Sequence, residues 1–131
     1  MGATENKQLI KEAFAAWEHG DYEPFFKVVA EDVQWTVIGS TAISGTFSGK
    51  RAFLDGAVVP MHEQLAEPIA ATVVNVFGDG DHVILQWNGT SVGKNGQPYE
   101  QMYCWVMRLS GGLIVEVTAY LDTGLVADMF S

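Results

Sequence analysis

The sequence predicts an α+β domain in which helices from the first half pack on a strongly curved antiparallel sheet from the second half. Residues 1–66 carry apolar stripes at helical spacing, whereas residues 69–121 alternate as four long strands separated by turn sequences. A sheet covered by helices on one face can curl into a cone with an open mouth. A length of 131 residues and a hydrophobic content of 48% suit one core. We therefore expect residues 1–131 to form a single domain with a conical cavity.

The first helix is predicted by one apolar stripe at helical spacing. The stripe consists of Leu9, Ile10, Ala13, Phe14 and Trp17. Thr4 is the expected N-cap, and Gly20 is the expected C-terminal stop. A second, short helix is expected after Asp21, its predicted cap. Pro24 falls in the first turn of this helix, where a missing N–H costs little.

A short strand and a third helix are predicted next. Val33–Ile38 reads as a strand, with Trp35 and Val37 on the same face. Residues 39–49 are rich in Gly, Ser and Thr and are predicted to form a loop, without a phosphate-binding glycine pattern. Ser48 is the expected cap of a third helix over residues 50–66, bent near Pro60.

Four long strands are predicted for the second half of the chain. The first covers residues 69–77 and ends at a Gly-Asp-Gly-Asp turn, and the second covers residues 82–92. The pair Asn95-Gly96 favours a hairpin turn because both residues tolerate positive φ. The last two strands surround the turn Ser110-Gly111-Gly112, and a short helix over residues 124–130 is expected to close the chain.

The last hairpin is the most aromatic part of this predicted sheet and ends in an acid. Alternation places Gln101, Tyr103, Trp105 and Met107 on one face of its first strand. In its second strand, one face carries Glu116, Thr118, Tyr120 and Asp122, and the other carries Val115, Val117, Ala119 and Leu121. A pocket is therefore expected beside this hairpin.

Charge and composition restrict the classes of partner. The net charge of −9 argues against nucleic acid and anionic membranes, because both attract basic surfaces. The sequence contains no apolar run of about 18 residues and no apolar signal core, so a cytoplasmic protein without a membrane span is expected. The single cysteine, Cys104, is expected to be a buried, inert thiol. Scattered histidines at positions 19, 62 and 82 argue against a metal site.

Three stretches resemble the SnoaL-like domains of the nuclear-transport-factor-2-like superfamily, which includes ketosteroid isomerase and limonene epoxide hydrolase. HGDYEPFFKVVAEDVQWTV resembles their opening, ISGTFSGKRAFLD their entry into the third helix, and GQPYEQMYCWVMRLSGGLIVEVTAYLDTGLV their closing strands. The resemblance spans nearly the whole chain. It implies a cystatin-like cone with a curved sheet of six or fewer strands, and usually a homodimer, which we expect to form through the outer face of the sheet. One scaffold of this kind carries many functions.

The resemblance to ketosteroid isomerase does not extend to its catalytic residues. Its carboxylate base aligns with Thr36 or Val37, and neither of these side chains can take a proton from carbon. Its two oxyanion donors align with Ala13 and Trp105. Steroid isomerisation by that mechanism is therefore not expected.

The resemblance to limonene epoxide hydrolase is also incomplete. Asp122 resembles the second of its two catalytic aspartates. The expected arginine and first aspartate would fall near residues 89–91, where the sequence has no charge, and neither Arg51 nor Arg108 fits. The SnoaL-like polyketide cyclases use a single aspartate as acid and base, which Asp122 could imitate.

The predicted catalytic residues are Asp122, Tyr120 and His62. Asp122 at the mouth of an aromatic cavity would transfer a proton, and Tyr120 or His62 would polarise an oxygen. Alternatively, Asp122 caps the closing helix. The ketosteroid isomerase alignment puts Leu121 inside the cavity instead, and a regular strand allows only one of these two orientations.

The predicted ligand-binding residues are aromatic, although each could instead be plain core. They are Phe14, Trp17, Trp35, Trp87, Tyr103 and Trp105. Three functions stay open: a cofactor-free cyclase or isomerase acting on an apolar carbonyl compound, a non-catalytic binder of an apolar small molecule, and a dimeric interaction domain with a filled cavity. No cofactor is expected for any of them.

Overall fold

A curled, unclosed sheet forms one layer of the structure, and helices cover its concave face. The computed structural model describes residues 2–131. Within these residues the helices are α1 Ala3–Phe14, α2 Glu23–Phe26, α3 Lys50–Phe53, α4 Val59–Glu63 and α5 Thr123–Met129. The strands are β1 Val29–Val37, β2 Gly45–Ser48, β3 Ala70–Asp79, β4 His82–Val92, β5 Pro98–Ser110 and β6 Leu113–Tyr120. The predicted α+β class, with its conical sheet, is confirmed.

The strand order is β2-β1-β6-β5-β4-β3. Over the described residues, neighbouring strands run antiparallel except for β1 and β6, which run parallel. The sequence predicts an antiparallel sheet and a loop over residues 39–49, which contain β2. β2 is a four-residue edge strand paired with β1, and its Gly, Ser and Thr content resembles that of a loop.

Helix α1 continues into a 3₁₀ turn, Ala15–His19, and ends at Gly20, whose φ of 87° is left-handed. Gly20 is therefore the stop that the sequence predicted. The predicted cap Thr4 is wrong, because Gly2 holds the N-cap position and Thr4 lies in the first turn. The Asp21 carboxylate accepts a hydrogen bond from the Glu23 N–H at 3.1 Å, as expected of a residue that starts α2.

The third predicted helix is interrupted by a π-helical turn, Leu54–Val58, which lies between α3 and α4. Pro60 follows this turn and has no N–H to donate to the turn before it, which explains why the helix widens here. The predicted cap Ser48 is wrong. Gly49, with φ of 104°, is the N-cap, and the Ser48 hydroxyl donates to Gln34 Oε1 at 3.0 Å.

The turns of the second half lie where the sequence placed them. Gly80 and Gly96 have φ of 57° and 84°, in the first and second hairpins. In the last hairpin Ser110 pairs with Leu113, and the two glycines between them have φ of 58° and 82°. Two consecutive positive φ values define the type I′ turn, whose twist matches that of the strands.

The inner face of β6 carries Val117, Ala119 and, beyond the strand, Leu121. Ala119 is the register partner of Trp105, and paired positions share one face of a sheet. Ala119 is buried, whereas Tyr120 is 46% exposed on the outer face. The prediction that Tyr120 and Asp122 face the cavity is therefore wrong, and the alternative with Leu121 inside is the observed one.

The core between helices and sheet is dominated by aromatic rings. Phe14, Phe25, Trp35 and Trp87 are 1% exposed or less. Cys104 lies on the outer face as the register partner of Tyr120 and is half-buried, so the prediction of a buried thiol is wrong. Among residues 2–131, no helix has the length and apolar character needed to cross a membrane.

Candidate functional site

A cavity opens between the sheet, the 3₁₀ turn and the helical segment over residues 50–63. The space that the centre of a water molecule can occupy in this cavity is ≈ 70 Å³. The whole empty space, including the open mouth, is ≈ 550 Å³. The lining is apolar except at two side chains, His62 and Tyr103. All four tryptophans of the chain line the cavity: Trp17, Trp35, Trp87 and Trp105.

Two stacked pairs of rings form opposite walls, and one indole joins them. Trp87 stacks on Tyr103 with centroids 4.0 Å apart, and Trp35 stacks on Phe53 at 4.1 Å. Trp105 stands nearly perpendicular to both tryptophans, at 86° to Trp35 and 83° to Trp87. Stacked and perpendicular pairs are the favoured geometries of aromatic rings. The cavity is therefore bounded by packed, flat surfaces that complement a flat molecule.

Gly89 makes the Trp87–Tyr103 wall possible. A Cβ at this position would lie 2.8 Å from Ile69 Cγ2 and 3.0 Å from Tyr103 Cε2. Such distances are shorter than van der Waals contact, so only glycine lets the Tyr103 ring lie against β4.

His62 brings a titratable group to the cavity. Its Nδ1 lies 2.8 Å from the carbonyl oxygen of Val58, in the π-helical turn. Because a carbonyl oxygen only accepts, Nδ1 carries a proton, and in the neutral form of the ring the lone pair is on Nε2. The ring also packs on Tyr22, with centroids 5.1 Å apart. The Val58 carbonyl and the Tyr22 ring thus fix the position of the His62 imidazole.

A buried chain of hydrogen bonds reaches the other polar lining residue, Tyr103. Its hydroxyl lies 2.8 Å from the Tyr99 hydroxyl. Gln101 Nε2 donates to the Tyr99 hydroxyl at 3.3 Å and to the Asp122 carbonyl at 3.0 Å. Gln101 Oε1 accepts from the backbone N–H of Asp122 at 2.7 Å and of Met102 at 3.2 Å.

Both tyrosines of this chain stay protonated at neutral pH. Burial raises the pKa of Tyr103 well above its usual value near 10, and the neighbouring Tyr99 raises it further. Burial also raises the pKa of Tyr99, although its hydrogen bonds with Tyr103 and Gln101 oppose this shift. The hydroxyl groups therefore act as neutral donors and acceptors.

Three indole N–H groups have no acceptor within the described part of the chain. They belong to Trp35, Trp87 and Trp105. An unpaired buried donor costs about 1–3 kcal/mol. The perpendicular ring pairs offer these groups only the weaker contact with an aromatic face.

The structure brings six of the predicted site residues to the cavity. These are His62, Trp17, Trp35, Trp87, Tyr103 and Trp105. Phe14 is fully buried behind this wall, 5.0 Å from Trp87 and 5.9 Å from Trp105, and does not line the cavity.

The other two predicted catalytic residues lie away from His62. The Asp122 carboxylate caps α5, where Oδ1 accepts from the N–H groups of Gly124 at 3.0 Å and Leu125 at 3.3 Å. Tyr120 lies on the outer face because strand alternation sends it opposite to Ala119. The cap is the alternative that the sequence analysis left open for Asp122.

Sequence reasoning missed Tyr99 and Gln101 as members of the site. Their positions carried a signal, because they share the inner face of β5 with Tyr103 at intervals of two residues. A glutamine on an otherwise apolar face needs hydrogen-bond partners. Between Gly2 and Ser131, no three His, Cys, Asp or Glu side chains lie close enough to hold a metal ion.

A sequence model of the SnoaL-like domain matches residues 10–117. No curated protein matches the sequence significantly. Among solved structures, an NTF2-like protein from Burkholderia thailandensis is similar, with 20% identity, a TM-score of 0.82, and coverage of 100% of this chain and 99% of the other. Bal32a, from a soil-derived mobile gene cassette, has 18% identity, a TM-score of 0.83 and 98% coverage of both chains. TerC, co-crystallised with polyporic acid, has 16% identity, a TM-score of 0.79, and coverage of 96% and 98%.

Proposed function

The chain belongs to the SnoaL-like domain family, and we propose that it binds a small, flat, largely apolar molecule in the aromatic cavity. The observation that carries this proposal is the lining, in which all four tryptophans and Tyr103 surround an open space. A core without a ligand would gain stability by filling that space. Binding clefts are typically apolar with a few polar groups, which describes a cavity with His62 and Tyr103 as its polar members.

The dimensions limit the ligand. One water molecule needs roughly 10–15 Å³ of space for its centre. The ≈ 70 Å³ of such space in the cavity therefore holds about five water molecules. This space suits one aromatic ring with a small substituent, and a larger ligand would extend through the mouth. TerC, whose fold is similar, was co-crystallised with polyporic acid, which is consistent with a small-molecule site in a fold of this kind.

The test is a titration of ¹⁵N-labelled protein with acetophenone, followed through the four indole N–H signals. We expect these signals to shift in a saturable way, because every tryptophan lines the cavity. Leu121→Trp should block the cavity and abolish the shifts. Tyr120→Trp, one residue away on the outer face, should leave them unchanged. Unchanged indole signals up to millimolar acetophenone and related aryl compounds would contradict the proposal.

A second candidate function is proton transfer by His62. It is favoured by the hydrogen bond from Nδ1 to the Val58 carbonyl, which leaves Nε2 as the basic atom. A ketone bound beside Nε2 would lose a proton from the carbon next to its carbonyl group. Exchange of the acetophenone methyl protons for deuterium in D₂O measures this step, and His62→Gln should return the exchange to its uncatalysed rate. Exchange that is no faster with wild-type protein would rule the step out.

For the assembly, we propose that two copies of the chain pack through the outer face of the sheet. Met102 is 75% exposed there, and Tyr120 is 46% exposed. Cys104 of β5 lies between these two residues, because its register partner on β6 is Tyr120 and Met102 is two residues away on the same face of β5. Contiguous exposed apolar groups of this kind are typical of protein–protein contacts.

A further inference from the structure

Gln101 anchors the hydrogen-bond chain that ends at the cavity wall. It is 1% exposed, and two backbone N–H groups donate to its Oε1. Backbone N–H groups can only donate, so the orientation of the Gln101 amide is fixed and Nε2 must face Tyr99. Gln101 Nε2 therefore gives a hydrogen to the Tyr99 hydroxyl oxygen.

The direction of the next bond follows from this one. Tyr99 is fully buried, and within the described residues its hydroxyl contacts only Gln101 Nε2 and the Tyr103 hydroxyl. Gln101 Nε2 cannot accept a hydrogen bond. The Tyr103 oxygen is thus the one acceptor for the Tyr99 proton. When Tyr99 donates to it, the Tyr103 proton has no acceptor in the described protein and is free for a molecule in the cavity.

We infer that Gln101 and Tyr99 are positioning residues that make the Tyr103 hydroxyl a hydrogen-bond donor to the cavity, which therefore selects ligands carrying an oxygen acceptor. This inference rests on the proposed function, since it concerns the same cavity. The acceptor is a neutral carbonyl or ether oxygen attached to an aromatic ring, because the rest of the lining is apolar.

The test compares two molecules of nearly the same shape, acetophenone and α-methylstyrene, in which a CH₂ group replaces the carbonyl oxygen. Both are titrated against wild-type protein and Tyr103→Phe. We expect the substitution to weaken acetophenone binding about 2- to 10-fold, as for loss of a neutral hydrogen bond, and to leave α-methylstyrene binding unchanged. An equal change for both molecules, or no change for either, would overturn the inference while the cavity remains a binding site. If neither molecule binds wild-type protein, the proposed function itself fails.

The positioning role has its own readout, the carbonyl stretching band of bound acetophenone. A donated hydrogen bond lowers its wavenumber, so the band should lie lower in wild-type protein than in Tyr103→Phe. In Gln101→Glu the new carboxylate accepts the Tyr99 proton, the Tyr99 oxygen becomes an acceptor for the Tyr103 proton, and the band should move toward its Tyr103→Phe position. If Gln101→Glu does not fold, Tyr99→Phe replaces it, with a band expected between the other two. If the carbonyl band in the measured variant lies at the wild-type wavenumber, the positioning role of Gln101 and Tyr99 is overturned.

Discussion

Replacing Asp122 with alanine separates a helix cap from a catalytic acid. The Asp122 carboxylate accepts two backbone N–H groups at the start of α5, at 3.0 and 3.3 Å. Loss of an N-cap of this type typically costs about 1 kcal/mol, with a range of about 0.5–2 kcal/mol. The cost should fall in the upper part of this range, because α5 contributes the buried side chains Val126 and Met129 to the core.

The assay is urea denaturation together with calorimetry. For a chain of 131 residues, each 1 kcal/mol lowers the melting temperature by about 3–5 °C. Asp122→Ala is therefore expected to melt roughly 3–10 °C below the wild type. Asp122→Asn should melt within about 2 °C of the wild type, because asparagine caps helices as well as aspartate does.

A matched control lies on the same helix. Asp128→Ala makes the same change of charge near the C-terminal end of α5 without removing a cap. Its stability should equal or slightly exceed that of the wild type, because a negative charge is unfavourable at a helix C-terminus. Equal stability of Asp122→Ala and wild type, or loss of acetophenone binding in the stably folded Asp122→Asn, would refute the assignment of Asp122 as a cap.

Three further predictions concern the tyrosine pair, the tight packing at β4 and the outer face. Because their raised pKa values keep Tyr99 and Tyr103 protonated in the folded state, their contribution to stability should be constant below about pH 9 and fall above pH 10, as the unfolded chain releases their protons. In urea titrations from pH 8 to 11, the free energy of unfolding should fall by up to about 1.4 kcal/mol per pH unit for each tyrosine. Tyr103→Phe should make this fall smaller. Gly89→Ala should lower the free energy of unfolding by about 1–3 kcal/mol, because its Cβ meets Tyr103 and Ile69, and acetophenone should bind more weakly. Met102→Glu should convert dimers into monomers in analytical ultracentrifugation, because the carboxylate would be buried at the proposed interface.

Controls for these predictions come from exposed residues. Tyr120→Phe, made in the Met102→Glu variant so that Tyr120 lies outside any interface and stays 46% exposed, should keep the alkaline slope of that variant. Val59→Glu adds the same charge as Met102→Glu on α4, away from the sheet, and should keep the dimer. The reasoning fails if Tyr103→Phe keeps the full slope, if Gly89→Ala is as stable as the wild type, or if both glutamate variants have the same mass in solution.

Local patterns in the sequence predicted most of the fold. The four long strands followed from alternation, and their turns followed from glycines that adopt positive φ. Non-local features were missed for a physical reason. The parallel pairing of β1 with β6 joins residues about 80 positions apart, and no local pattern specifies such a contact. Strand β2 has only four residues, too few for alternation to distinguish it from a loop.

The candidate site was predicted in part because alternation separates two faces without saying which one is buried. Tyr103 and Trp105 were placed toward the cavity by their aromatic neighbours. On β6 the same reasoning chose the face with Tyr120 and Asp122, whose side chains suggested chemistry. The pairing of Trp105 with Ala119 decides the matter, and this register passes a bulge beside Arg108 that the sequence does not reveal.

The π-helical turn over Leu54–Val58 sets the angular position of everything that follows it in the same helical segment. A turn of this type contains one residue more than an α-helical turn, and each residue rotates a helix by about 100°. Met61 and His62 reach the cavity with that extra residue in place, while Val59 points to solvent. Deleting one residue from this turn would carry the His62 imidazole about a quarter of a revolution around the helix axis, so the length of this segment determines whether the imidazole reaches the cavity.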